Sequence, residues 1–280
     1  MKSSLTFKVL SALILICFQT PQAEAAPTNK QGFEQWCLQK DSLPAETRKT
    51  VEVLLDQAGT QRCKLADLRL NKLSQLFLTD NEITDITPIA SLTNLTYLDL
   101  KQNQIRDLKP LKSLTNLSVL SMEGNQISDI APLGDLTKLK GLFMSGNSIK
   151  DLQPLEGLTN LTVIVLIDNQ ISDVKPLSSL QKLETLWLSR NQIIDIQPLE
   201  SLMNLTDLGL GENKIIDVQP LTSLTNLTVL NLDTNQISDI KPLAALTKLT
   251  NVYLGNNRIS KKVCPVQPES VCNFKNLYTR

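Results

Sequence analysis

The sequence predicts an α/β solenoid, a stack of short units that each add one strand and one return segment, closed at its N-terminal end by a helical cap. Three observations predict it. Asparagine recurs every 22 residues, at Asn81, Asn103, Asn125, Asn147, Asn169, Asn191, Asn213, Asn235 and Asn257. Around each one the aliphatic positions repeat, with leucine eight places before and isoleucine two places after, from Leu73 and Ile83 to Leu249 and Ile259. Leucine fills 52 of 280 positions while aromatics make up only 4%, so the core is aliphatic. Self-similarity at a fixed short period marks a repeat architecture, in which each unit buries its apolar face only against its neighbours.

The first element, residues 1–25, reads as a cleavable export signal. Lys2 and Lys8 precede a run from Val9 to Phe18 that is apolar except for Ser11, and Ala23-Glu24-Ala25 stands ahead of Ala26. The run is shorter than the roughly 20 apolar residues that span a bilayer. A lipid-anchored alternative would use Cys17, but the preceding Ile16 is large for that signal. Cleavage leaves 26 basic and 27 acidic residues, and no second apolar segment follows. The mature chain is therefore expected outside the cytoplasm, secreted, periplasmic or at the cell surface, without stable membrane insertion.

Residues 26–64 form the expected N-terminal cap. Pro44 to Ala58 predicts a helix, with proline at its start and Gly59 as its stop. Cys37 and Cys63 flank it.

Residues 65–260 carry nine repeats. In each, an L-x-L stretch alternates with period two, so that Leu98 and Leu100 face one way while Tyr97, Asp99 and Lys101 face the other. Four residues after the asparagine comes aspartate, and seven after comes proline, in the first eight repeats, from Asp85 and Pro88 to Asp239 and Pro242. Such a segment cannot continue a sheet, and it predicts a tight turn or 3₁₀ stretch along the back.

This unit, L-x-x-L-x-L-x-x-N-x-I-x-D-[ILV]-x-P-[LI]-x-x-L, resembles the leucine-rich repeat. It is most similar to the 22-residue type of bacterial internalins and of a eukaryotic phosphatase-1 regulatory subunit. The resemblance covers Leu65 to about Ser260. It implies a horseshoe with a parallel sheet on its concave side and 3₁₀ or irregular structure on its convex side. It also implies a function in binding a partner: a host receptor for internalins, a cytosolic phosphatase for the regulator. The export signal takes this chain away from the latter.

Residues 261–280 form the expected C-terminal cap and tail, where Cys264 replaces the repeat proline and Cys272 follows. Four cysteines in an exported chain read as two disulfides, with three possible connectivities. Nine strands at about 4.8 Å spacing place the two ends roughly 40 Å apart, against the 7 Å or so that a disulfide spans between Cα atoms. The pairs are therefore Cys37–Cys63 and Cys264–Cys272, one closing each end. The alternative, a free-thiol redox pair, lacks a C-x-x-C spacing.

Several columns tempt a functional reading. The asparagine column is expected to satisfy backbone groups in its own turn and in the next repeat. The aspartate column suggests a calcium ladder, but it lacks the glycines of such repeats. An acceptor role at the start of each back-side turn suits it better. Five N-x-[ST] triplets, at Asn94, Asn116, Asn160, Asn204 and Asn226, share one repeat position with Lys138, Lys182 and Lys248. They read as a by-product of the repeat, and as glycan acceptors only in a host that exports through an endoplasmic reticulum.

Function is expected on the outward strand positions, two, four and six residues before each asparagine. These 27 positions hold five of the nine mature aromatics, Phe77, Tyr97, Phe143, Trp187 and Tyr253, where random placement gives about one. Phe143, Val165 and Trp187 occupy one column in successive repeats, with Val163 and Ile167 beside Val165. Asp99, Lys101, Asp168, Arg190 and Asp207 would form a charged rim. An exposed apolar patch of this kind marks a partner site, whereas good strand propensity alone needs neither Trp nor Phe. Ile194 and Ile216 form a smaller rim pair with no role assigned.

The whole chain has 28 basic and 28 acidic residues and no histidine. Balanced charge argues against nucleic acid, which calls for a basic stripe. The missing imidazole removes Ser-His-Asp and Cys-His catalysis and His-ligated zinc. The sequence thus predicts a non-catalytic module without cofactor or metal, binding a protein partner. Glycan or cell-wall binding through the same aromatics is the alternative.

Overall fold

Each L-x-L stretch forms a three-residue strand in the computed structural model, which describes residues 31–275. The segment read as an export signal lies outside the described residues. Nine repeats supply β1 (Gln75–Phe77), β2 (Tyr97–Asp99), β3 (Val119–Ser121), β4 (Gly141–Phe143), β5 (Val163–Val165), β6 (Thr185–Trp187), β7 (Asp207–Gly209), β8 (Val229–Asn231) and β9 (Asn251–Tyr253). They form one parallel sheet in chain order, each residue paired with the one 22 places on, as Leu142 with Ile164. A tenth strand, β10 (Cys272–Asn273), continues the sheet, with Cys272 opposite Val252. Its spacing breaks the period, so the repeat pattern did not reveal it.

Behind the sheet each Asp-x-x-Pro segment becomes a short 3₁₀ helix, such as Lys175–Ser179, with proline in its first turn. Seven aliphatic side chains per repeat point between the two layers. In the fifth they are Leu161, Ile164, Leu166, Ile171, Val174, Leu177 and Leu180, all fully or almost fully buried. One continuous apolar core therefore runs from cap to cap.

The N-terminal cap holds three α-helices, α1 (Phe33–Leu38), α2 (Ala45–Ala58) and α3 (Cys63–Leu70). The last runs past the expected boundary at residue 64, so that Leu65 and Leu70 belong to the cap rather than to a repeat. Helix α2 begins after Pro44 and ends at Gly59, whose left-handed φ of 62° closes the last turn. Helices α1 and α3 are too short for periodicity to reveal. Cys37 on α1 bonds Cys63 on α3, with Cα atoms 5.4 Å apart, and Cys264 bonds Cys272 at 5.5 Å. Both pairs are those that the span of the stack predicts. Among the described residues no helix is long and apolar enough to cross a membrane.

Candidate functional site

Three of the repeating columns are occupied by the fold itself. The carboxamide of Asn191 accepts the Ile171 N–H at 3.0 Å and donates to the carbonyls of Leu166 and Leu188, both at 3.0 Å. Its neighbours Asn103, Asn125, Asn169, Asn213 and Asn235 are likewise buried. The inter-repeat bonds run backward to the preceding repeat rather than forward to the next, a correction to the expected direction. The cause is that the carboxamide points toward the turn laid down one repeat earlier.

The aspartates accept from the backbone two residues on, as Asp173 Oδ1 from the Lys175 N–H and Asp195 Oδ1 from the Gln197 N–H, each at 2.8 Å. Each carboxylate thus starts its own 3₁₀ turn. Among the described residues no group of His, Cys, Asp or Glu is arranged to hold a metal ion. The N-x-[ST] column is a ladder too. Asn94, Asn116, Asn160, Asn204 and Asn226 donate to carbonyls 23 residues earlier at 2.7–3.0 Å. Where lysine replaces asparagine, Lys138, Lys182 and Lys248 reach the preceding repeat's Asn Oδ1 at 2.7 Å.

That leaves the outward face of the sheet, which period-two alternation directs away from the core. Phe143 on β4, Val165 on β5 and Trp187 on β6 stand in direct register across three strands. Val163 shares β5, and Ile167 follows it two residues beyond Val165. All five are half-buried. Trp187 leans toward β7, over Gly209, its register partner. Phe143 leans toward Gly141 of its own strand.

The other aromatics fall into two groups. Phe77, 52% exposed, packs on Tyr97 with ring centroids 5.1 Å apart. Tyr97 also joins Val119, Phe143 and Val163 around a shallow concavity of about 330 Å³ on the same face. A run of aromatic and valine side chains therefore links β1 to β6. Tyr253 on β9 stands apart, beyond the small or polar Gly209, Gly211, Asn231 and Asp233.

Charges border this run. The Lys101 ammonium lies 3.8 Å from Asp99 and 3.6 Å from Glu123, and Arg190 Nε donates to Glu212 Oε1 at 2.8 Å. Asp99 is 7% exposed, because it accepts from Thr79 Oγ1 and the Lys101 N–H at 3.0 Å, so it supports the strand ends more than the rim. Asp233 is fully buried, its Oδ1 accepting the Gly255 N–H at 2.6 Å. Ile194 and Ile216 are exposed off the sheet.

Reasoning from the sequence missed Val119, Lys140 and the glycines at 141 and 209. The available signal was glycine inside a strand, at positions where other repeats carry side chains.

Comparison with known proteins agrees with this architecture. A family model described as leucine-rich repeats (2 copies) matches overlapping windows 71–113, 93–135, 115–157, 137–179, 159–201, 181–223, 204–245 and 225–263. Among solved structures, internalin C2 from Listeria monocytogenes is 38% identical, with 72% of this chain and 90% of that one covered and a TM-score of 0.68. An internalin (InlF) from the same organism is 30% identical, with 81% and 74% covered and a TM-score of 0.67. The leucine-rich repeat ectodomain of the plant membrane receptor kinase GASSHO1/SCHENGEN3 from Arabidopsis thaliana, in complex with Casparian strip integrity factor 2, is 26% identical. There 70% of this chain and 28% of that one are covered, with a TM-score of 0.57. No curated protein matches the chain in sequence.

Proposed function

The chain belongs to the leucine-rich repeat family, and from that premise we propose that it is an exported, non-catalytic module that binds a protein on its concave face. The observation that carries this reading is the in-register run of Phe143, Val165 and Trp187 on β4, β5 and β6. The repeat needs only aliphatic residues facing inward, so nothing in its stacking calls for large apolar groups on the outer side. Monomeric proteins rarely keep such a patch uncovered without use.

The anchors are Trp187 and Phe143, whose rings bury much area with few rotamers to lose. A partner's apolar surface covers them together with Val163, Val165 and Ile167. Arg190, Glu212 and Lys101 supply the polar rim that sets orientation more than affinity. Phe77, Tyr97 and Tyr253 extend the contact toward the two ends. The plant receptor ectodomain solved in complex with Casparian strip integrity factor 2 supports a ligand on this kind of solenoid. The two end disulfides support an oxidising compartment, and with it export by residues 1–25.

The test is a cross-linking pull-down from the exported fraction with the mature chain, beside a Trp187→Ala/Phe143→Ala variant of unchanged circular dichroism. The variant should lose the captured partner at least roughly tenfold. Equal capture by both proteins would mean that the wrong face has been chosen. A glycan array screened in parallel decides the ligand class: sugar binding that the same variant abolishes would replace the protein reading.

A further inference from the structure

The concave face carries a notch that the repeat pattern does not require. At the first residue of each strand from β1 to β9, every repeat but one bears a side chain, with Val119 and Val163 on either side of Gly141. Gly141 has ordinary strand backbone, since the glycines with positive φ are Gly59, Gly124 and Gly146. A β-carbon there would meet Val119 at 3.5 Å, an ordinary contact, and Phe143 Cε2 at 3.2 Å. Both neighbours are side chains, so the backbone accepts a larger residue once the Phe143 ring gives by a few tenths of an ångström, and Gly141 lines the concavity of about 330 Å³. Glycine within a strand often marks a place where another group approaches closely.

The walls are mostly apolar, with Tyr97 and Val119 on one side and Phe143 and Val163 on the other, and Ser121 and Thr162 add two hydroxyls. Two lysines also line the concavity. Lys101 is balanced by Asp99 and Glu123. Lys140, adjacent to the glycine, is exposed and makes no ion pair among the described residues. The cavity thus joins an apolar floor to one uncompensated positive charge at its mouth.

We propose that the Gly141 notch takes a single aromatic or leucine-sized side chain from an acidic segment of the protein partner, with the neighbouring carboxylate pairing to Lys140. This rests on the concave-face reading and adds the partner's chemistry to it. The apolar side chain supplies the buried area, and the carboxylate sets register and steers encounter.

The probe is a random peptide library displayed on phage and selected against the mature chain, followed by affinity measurement on the enriched peptides. The expected consensus is an aromatic residue or leucine beside Asp or Glu. Gly141→Val, which restores the side chain that neighbouring repeats carry, should weaken those peptides about tenfold or more. Lys140→Glu should weaken them about fivefold or more and prefer peptides in which lysine replaces the acid, while Lys140→Arg should retain binding. Circular dichroism of each variant should match the wild type.

If peptides are lost with Trp187→Ala yet unchanged by Gly141→Val and Lys140→Glu, the notch is refuted and the concave-face reading stands. Peptides indifferent to all three changes refute both. A selection that enriches no peptide, or enriches basic ones, also overturns the proposal.

Discussion

The indole of Trp187 lies against Gly209, its register partner on the next strand: a β-carbon built on Gly209 would sit 2.3 Å from Cε3 and 2.8 Å from Cδ2. The missing side chain at 209 is what lets the largest ring on the concave face lie along the sheet rather than stand in water. Trp187 is consequently half-buried, with one face still presented outward. The pair joins a proposed binding anchor to a glycine that only its neighbour explains.

Gly209→Val should expel that ring while leaving the solenoid intact, at a cost of about 1–3 kcal/mol for the crowding. Trp36, 4% exposed in the cap, is the second tryptophan and stays as it was. The emission maximum should therefore shift to the red, and a Trp187→Phe background should remove that shift. Unchanged emission would show that the ring is not held by Gly209.

Replacement in the asparagine column should cost far more than in the aspartate column. Asn191→Ala leaves the buried Ile171 N–H without its acceptor and takes one of two amide donors from the carbonyls of Leu166 and Leu188, which keep Asn169 and Asn213, a loss of about 2–5 kcal/mol. Asp195→Ala removes one exposed acceptor from the Gln197 N–H, and about 0.5–2 kcal/mol is expected, as for a helix cap. Urea denaturation with matched slopes measures both, and equal destabilisation would contradict the separate roles.

The cap is fastened to the first repeat through Asp85. Thr47 Oγ1 donates to its Oδ2 and Thr50 Oγ1 to its backbone carbonyl, each at 2.6 Å. A Thr47→Val/Thr50→Val variant keeps the shape and removes both donors, costing about 2–4 kcal/mol. Since repeats couple only to their neighbours, hydrogen exchange should quicken in β1 and β2 well before β6. Uniform acceleration along the chain would argue for a single cooperative unit.

Loss of the C-terminal disulfide should have the mirror-image effect. Cys264→Ser/Cys272→Ser frees the eight-residue separation that the bond closes, at about 2–3 kcal/mol. Exchange should rise in β9 and β10 while α2 and β1 remain protected. Equal loss at both ends would refute local capping.

Much of this was legible in the chain because the period supplies its own internal reference. Leu161 and Ile164 were assignable to the core since eight other repeats fill the same positions. The backbone-acceptor role of Asp173 followed from its fixed distance to Pro176. Where the period ends, the reading ended with it: helices α1 and α3 and strand β10 have no second copy to compare against. The outward aromatics were found by counting, but the count treated Phe143 and Trp187 as equivalent and saw no meaning in Gly141 or Gly209.

By itself, the sequence determined the solenoid, its aliphatic core and the partition of four cysteines into two end-staples. Each follows from repetition at fixed spacing together with the distance that stacked strands must span. Only the tertiary structure decided that the asparagine ladder reaches backward, that Trp187 rests over Gly209, and that Gly141 opens a notch beside Lys140. The physical reason is the register. Residues 22 apart become neighbours across the sheet, so an outward side chain such as Trp187 takes its exposure from a residue on the next strand. A single strand's own sequence does not contain that relation.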